Sequence, residues 1–232
     1  MKNRIKKELR EKACSKKASD LGWFFKTKKG EYGYGDVFLG VTVPQQRLIV
    51  GKYKDIPLKE VAELLQEKIH EFRFCALIIL VEKYRKGDDK TKKLIVDLYL
   101  DNLKFINNWD LVDVSAPSII GDFFFNKNKK KLMKMLSSDN LWARRIAIIS
   151  TLGFIRQNEV ETTFLFAEKI LNDEHDLIHK ATGWMLREAG KKNKKRLVSF
   201  LEKNANKMPR TMLRYSIEKF TDKERKRFLN QR

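Results

Sequence analysis

The stretch NNWDLVD, residues 107–113, decides how the chain is read. As a helix it sets Trp109 and Asp113 four residues apart, so an indole and a carboxylate share one face. Periodicity alone assigns this pattern to an amphipathic turn with Trp109 inside and Asp113 outside, because apolar residues at helical spacing are usually core. The alternative is a chemical pair. The flanking sequence has to choose between them.

Outward from this stretch, nearly everything after residue 44 reads as successive helices with short connections. In DIPLKEVAELLQEKIHEFR, Pro57 suits a first helical turn, and Leu58, Val61, Leu64 and Leu65 form one apolar stripe. FRFCALIILVEKYRKGDD follows, apolar almost all round and closed by Gly87, which is the pattern of a buried helix. Further helices are expected at KTKKLIVDLYLDNL, APSIIGDFFF (with Pro117 at its start), KNKKKLMKMLSS, DNLWARRIAIISTLGFI, EVETTFLFAEKIL, DLIHKATGWMLREAG and KKRLVSFLEKNA, ending with RTMLRYSIEKF. Antiparallel pairs recurring at about 40-residue intervals without a strict repeat describe HEAT-like units. The expected fold is all-α, a HEAT-like helical-repeat solenoid with a curved face. Residues 24–47, FFKTKKGEYGYGDVFLGVTVPQQR, are the exception: their glycines, aromatics and β-branched residues predict a loop or short hairpin ahead of the solenoid.

Composition narrows the function. The 232 residues can bury a substantial core in one domain, and 42% hydrophobic content with 15 Phe and 4 Trp supplies it. Fifty Lys and Arg against thirty Asp and Glu give a net charge of +20, which points to a polyanionic partner, nucleic acid first and an anionic membrane second. A solvated lysine coat is the plainer reading of the same excess. Cys14 and Cys75 lie far apart without a CxxC spacing, which argues against zinc ribbons and iron–sulfur clusters and fits a reducing compartment. The N-terminus lacks the apolar run of a secretion signal, and FCALIILV (74–81) is far short of the roughly 20 residues that span a bilayer. A cytoplasmic protein is expected, without cofactor or metal.

Several candidate motifs lead nowhere. GYGDVFLGV has the glycines of a nucleotide loop but no strand–loop–helix context, VAIK-type lysine or HRD-type loop. His175 and His179 stand four apart, as two metal ligands would, yet the glutamate of HExxH is missing from its position and a solvated or capping pair fits better. There is no Gly-x-Ser-x-Gly elbow and neither cysteine has a motif-level histidine. What remains is aromatic and ionic. Arg144 and Arg145 point about 100° apart on one helix and so serve different purposes, one toward solvent or a phosphate and one toward a carboxylate. Gly183 precedes Trp184 inside a helix, where glycine costs up to ~1 kcal/mol unless something packs against that backbone.

FFKTKKGEYGYGDVFLGVTVPQQR, HEFRFCALIIL, NNWDLVDVSAP, RRIAII and HKATGWMLREAG occur in an order that resembles the AlkD-type DNA alkylation repair proteins, the HEAT-like-repeat DNA glycosylases. The resemblance covers about residues 5–215, with NNWDLVDVSAP its most diagnostic piece, and it reverses the bland reading of the opening stretch. It departs at Lys28 and Tyr34, where Gly and Glu are expected, which bears on loop contacts and not on the chemistry.

The resemblance implies a single domain over residues 1–232 that binds duplex DNA carrying alkylated bases in a concave basic cleft. It implies cleavage of the N-glycosidic bond of 3-methyladenine, 7-methylguanine and bulkier adducts, on lesions left stacked in the duplex. The implied active site is Trp109, Asp113, Arg145 and Trp184, with Arg145 chosen over Arg144 by alignment of the pair. Phosphate contacts are expected from Arg144, Lys127, Lys129, Lys130, Lys180, Arg187, Lys191 and Lys192, with the densest basic runs at NKNKKKLMK, GKKNKKR and KERKR. A monomer is assumed. Two rivals stay open: a non-catalytic binder of damaged or branched DNA, which should lack the Trp and Asp set, and a protein-binding HEAT scaffold, which predicts no salt-sensitive duplex affinity.

Overall fold

The computed structural model describes residues 1–230. Among them the only strand-like pairing is one parallel bridge between Val37 and Ile69, so the chain is all-α and residues 26–42 form a loop rather than a hairpin. The chain divides into two compact units, Met1–Ser115 and the remainder from Ala116.

In the first unit, α1 (Lys2–Glu11), α2 (Ser15–Phe24) and α3 (Val43–Val50) precede α4 (Leu58–Leu65), α5 (His70–Lys86), α6 (Asp89–Asp101) and α7 (Trp109–Ala116). The sequence reading had assigned no helices before residue 44. α1 is nevertheless fixed by two residues one turn apart, Ile5 and Leu9, both fully buried, while its Lys2 pairs with Glu63 at 2.6 Å. In α4 the expected stripe is buried at Val61, Leu64 and Leu65. The division between α4 and α5 falls earlier than the sequence suggests. Ile69 is extended (φ −76°, ψ 126°), and the His70 amide donates to the Val37 carbonyl at 2.9 Å, so the loop captures the chain before Glu71 and opens a new helix there. From His70 to Val81 every residue of α5 is buried, as its continuous apolar pattern requires, and α3, α4 and α6 pack around it. Gly87 closes α5 and Asp88 caps α6 by accepting from the Thr91 amide at 2.8 Å.

In the second unit a π-helical turn at Pro117–Gly121 leads into α8 (Asp122–Phe124), then α9 (Lys130–Leu136), α10 (Leu141–Arg156), α11 (Glu161–Lys169), α12 (Asp176–Lys192), α13 (Lys194–Asn204), α14 (Arg210–Ser216) and α15 (Asp222–Leu229). Pro117 does not open a separate helix as the sequence suggests: Ala116 before it is itself helical (φ −57°, ψ −42°), and the chain stays helical through the proline by widening into the π turn. Asn140 caps α10 by accepting from the Trp142 and Ala143 amides at 2.8 and 3.1 Å. α10 packs against α9, α11 and α12, and α12 in turn against α13 and α14. A Cβ on Gly183 would lie 2.5 Å from both the Met212 carbonyl oxygen and Tyr215 Cβ, so the mid-helix glycine exists because α14 lies on that backbone. The C-terminal pattern is the other correction. α14 stops at Ser216, and α15, omitted from the sequence reading because almost all its residues are charged, is seated by the single buried Phe228 and capped by Thr221 and Glu224.

Candidate active site

The residues of NNWDLVD fall into different environments, and the network beneath them explains why. Asn108 is fully buried: its side-chain oxygen accepts from the Trp109 amide at 2.8 Å and its amide group donates to Asp36 at 3.0 Å. Leu111 and Val112 are core. Asp110 accepts from His70 Nε2 at 2.9 Å, while His70 Nδ1 faces Asp36 at 2.9 Å and Arg73 donates to the other Asp36 oxygen at 2.6 Å. α7 is therefore bolted to α5 and to the loop through charges that are almost wholly buried.

Burial alone would strip the proton from His70. The Asp110 carboxylate, supported by Asp36, overrides burial and the repulsion of Arg73 and raises the imidazole to about 9, so it is a cation at neutral pH. Burial pushes the Asp36 carboxyl upward, but His70, Arg73 and Asn108 outweigh it and hold the group below its ordinary range. Glu71, beside His70, ties down the loop itself: its carboxylate accepts from the amides of Leu39 at 3.0 Å, Gly40 at 2.8 Å and Val41 at 3.3 Å. Gly40 has φ +81°, and a Cβ there would stand 2.2 Å from the Cys14 carbonyl oxygen, so only glycine lets the loop turn this close to α2.

Upon this base Trp109 is neither core nor free. It is half-buried, stacked on Phe25 with ring centres 5.2 Å apart and met edge-on by Phe24 at 5.9 Å. Phe25 in turn stacks on Phe38 at 5.1 Å, and Phe38 on His70 at 4.6 Å, which makes a column of four rings ending at Trp109. Asp113, one turn on, is half-buried. Burial pushes the Tyr99 hydroxyl upward against the hydrogen bond with Ser115, and the Asp113 carboxylate adds to the rise. Tyr99 and Ser115 share a hydrogen bond of 3.0 Å.

The remaining predicted site residues lie in the second unit. Arg145 is buried and donates to the Leu177 carbonyl at 2.6 Å, tying α10 to the first turn of α12. Arg144 is paired with a carboxylate, its Nε donating to Asp173 at 2.6 Å and its Nη1 to the Ser138 and Asp139 carbonyls. Arg145 is buried and Arg144 mostly so: the segments before α10 and α12 supply partners for Arg144, and the α12 backbone supplies one for Arg145. His175 caps α12 by accepting from the Leu177 amide at 3.1 Å, a role that suits an imidazole held below its usual range mainly by burial. Trp184, half-buried, lines a surface cleft with Leu152, Arg156, Lys191 and Lys192.

The predicted phosphate contacts divide sharply. Lys180 pairs with Asp176 at 2.7 Å, Lys191 with Glu188 at 2.7 Å, and Arg187 with Glu188 and Glu218. Lys129 donates to the Phe125 carbonyl at 2.8 Å, and Lys127 to the Phe123 carbonyl at 3.2 Å with its ammonium 3.9 Å from that ring's centre. Lys130 and Lys192 are exposed, and among the described residues neither has a carboxylate partner. Among the described residues no cluster of His, Cys, Asp and Glu has a metal-binding arrangement.

The buried network escaped the sequence reading. Its signal was present in HEFR (70–73), three ionisable residues opening the helix with the longest unbroken buried run, and in Asp36 of the glycine-rich loop. Charges in such a position need partners.

Comparison with known proteins converges on one family. The model of the DNA alkylation repair enzyme family matches residues 5–220. A solved structure titled "Predicted DNA alkylation repair enzyme from Enterococcus faecalis" is similar with a TM-score of 0.69 and 15% sequence identity, over 91% of this chain and 98% of that one. At that identity the likeness shows a shared helical-repeat fold. No curated protein sequence matches the chain.

Proposed function

We propose that the chain, which belongs to the DNA alkylation repair enzyme family, is a monofunctional glycosylase acting as one domain on cationic alkylated purines in duplex DNA. The observation that carries this reading is the pairing of Trp109 and Asp113 one turn apart on α7, a helix anchored by a buried charge network. Such anchoring is what an electrostatic catalyst needs, because its charge has to be held in place before the reaction begins.

An N3- or N7-alkylated purine already carries positive charge. When the bond from C1′ to the base nitrogen breaks, its electron pair leaves with the base and neutralises that charge, so no general acid is required. The deoxyribose gains oxocarbenium character, which the Asp113 carboxylate stabilises. Water attacks C1′, its proton is lost to solvent or to Asp113, and an abasic sugar remains. The indole faces of Trp109 and Trp184 attract cations by roughly 0.5 to 2 kcal/mol each and shield the sugar or the lesion from bulk water. Arg145, buried against the α12 backbone, is a positioning residue. Its alternative role of gripping a phosphate is disfavoured by its burial.

Lys127, Lys130 and Lys192 are the best phosphate contacts, whereas Arg144, Lys180, Arg187 and Lys191 engage carboxylates that partly neutralise them. The surplus positive charge offsets the repulsion between Asp113 and the DNA backbone. A basic concave face gripping the duplex around a stacked lesion would admit bulky adducts, and the protein works as a monomer in the cytoplasm near the nucleoid. Among the described residues no helix is long and apolar enough to cross a membrane. The test is release of free base from duplex DNA containing 7-methylguanine, with borohydride present in a parallel reaction. Released base without a trapped protein–DNA adduct is the expected result; a trapped adduct would mean lysine-mediated lyase chemistry, and tight binding without release would favour the non-catalytic rival.

A further inference from the structure

A cavity of about 300 Å³ opens within the first unit, between α2, the loop and the start of α5. Its volume is at the lower end of small-ligand sites. Its walls combine two features that seldom occur together on a chain of net charge +20. Phe24, Phe38 and Phe74 present aromatic surface, and Phe24 is 54% exposed in contact with the Trp109 ring. Three carboxylates, Asp20, Glu71 and Asp110, stand at the same cavity beside Lys17; Glu71 is taken up by the loop amides and Asp110 by His70, while among the described residues the Asp20 side chain makes neither an ion pair nor a hydrogen bond. Phe25, Phe38 and His70 of the aromatic column line this space, and Phe25 stacks in turn on Trp109, so the cavity lies one ring away from the proposed site.

We propose that this cavity binds the alkylated purine base after its release, holding it as a bound product. The proposal rests on the glycosylase reading above. A flat heterocycle gains by stacking against phenyl rings. An alkylguanine also offers two adjacent N–H donors, at N1 and the exocyclic amine, and a carboxylate accepts both at once as it accepts an arginine fork. A lesion cleaved while stacked in the duplex has to leave past Trp109. The cavity gives it a destination on the same ring column.

The test uses free 7-methylguanine, the full chain and two variants. Val43 lines the cavity and is 41% exposed, so Val43→Trp fills the space from its rim, while Asp20→Asn removes an exposed carboxylate without touching the core. Equilibrium dialysis should show saturable binding by the wild type, weakened at least tenfold by Val43→Trp and about fivefold by Asp20→Asn. Free base should inhibit base release by the wild type, and the variants should escape that inhibition while their first turnover is unchanged. No binding by the wild type, or equal binding by all three proteins, overturns the proposal; should Val43→Trp fail to fold, the Asp20→Asn result alone decides. Base release without free-base binding would sink the cavity assignment and leave the glycosylase reading intact. Free-base binding without any release from DNA would do the reverse.

Discussion

At the scale of single residues, the account turns on charges buried to hold Trp109 and Asp113 in place. His70 has its folded pKa at about 9, above the ordinary 6.5. A group raised on folding contributes stability that is complete below its unfolded value and lost as pH climbs through the folded one. Each unit is worth about 1.4 kcal/mol, so the contribution is on the order of 3 kcal/mol. Denaturant midpoints should therefore fall between pH 7 and pH 10 in the wild type, and this decline should disappear in His70→Asn; an unchanged decline would place the titration elsewhere. Asp36 works in the opposite sense, its contribution present above the usual aspartate range and lost as pH drops through its depressed value. Removing His70 also strands Asp36 and Asp110 facing a lost cation, which should cost about 3 to 5 kcal/mol at neutral pH. That the charges of HEFR need partners is legible in the sequence, but which partners is not, because a pairing of residues 36, 70, 73 and 110 is a product of folding and leaves no spacing to read. The Trp109–Asp113 pair was legible for the opposite reason: four residues of one helix fix their relation locally.

Elements were legible wherever a side chain's burial followed a helical period. α6, α10 and α12 fall where their apolar stripes predicted, and Gly183 gave away the close approach of α14 because a mid-helix glycine has no other local purpose. The same contact makes a prediction at this scale. Gly183→Val would drive Cβ into the Met212 carbonyl and Tyr215, so α12 and α14 have to separate, at a cost of several kcal/mol. A loss of thermal stability under 1 kcal/mol would show that the two helices do not pack as described. α1 and α15 were invisible because two buried residues in one, and one in the other, carry the whole anchorage amid lysines and glutamates. The α4–α5 break was misplaced because a loop some thirty residues upstream, through the Val37 carbonyl, decides it.

For the molecule as a whole, net charge and family membership agree on DNA as partner, yet the structure shows that positive charge is not all equally available. Lys130 and Lys192 lack carboxylate partners, while Arg144 is engaged by Asp173 and two carbonyls. The logarithm of duplex affinity should fall with the logarithm of salt concentration by about 0.9 per phosphate contact. Lys130→Ala and Lys192→Ala should each reduce that slope by about one contact, whereas Arg144→Ala should lower stability and leave the slope nearly unchanged; a flat salt response of the wild type would remove DNA binding from the account. The central claim is narrower, that Asp113 is the electrostatic catalyst of base release. Its direct test is single-turnover release of 7-methylguanine from duplex DNA by the wild type and by Asp113→Asn, at saturating protein with folding and DNA affinity matched. The account predicts a fall on the order of 100-fold or more in the variant, the scale on which removal of one preorganised electrostatic group is felt. Equal rates from the two proteins would contradict it.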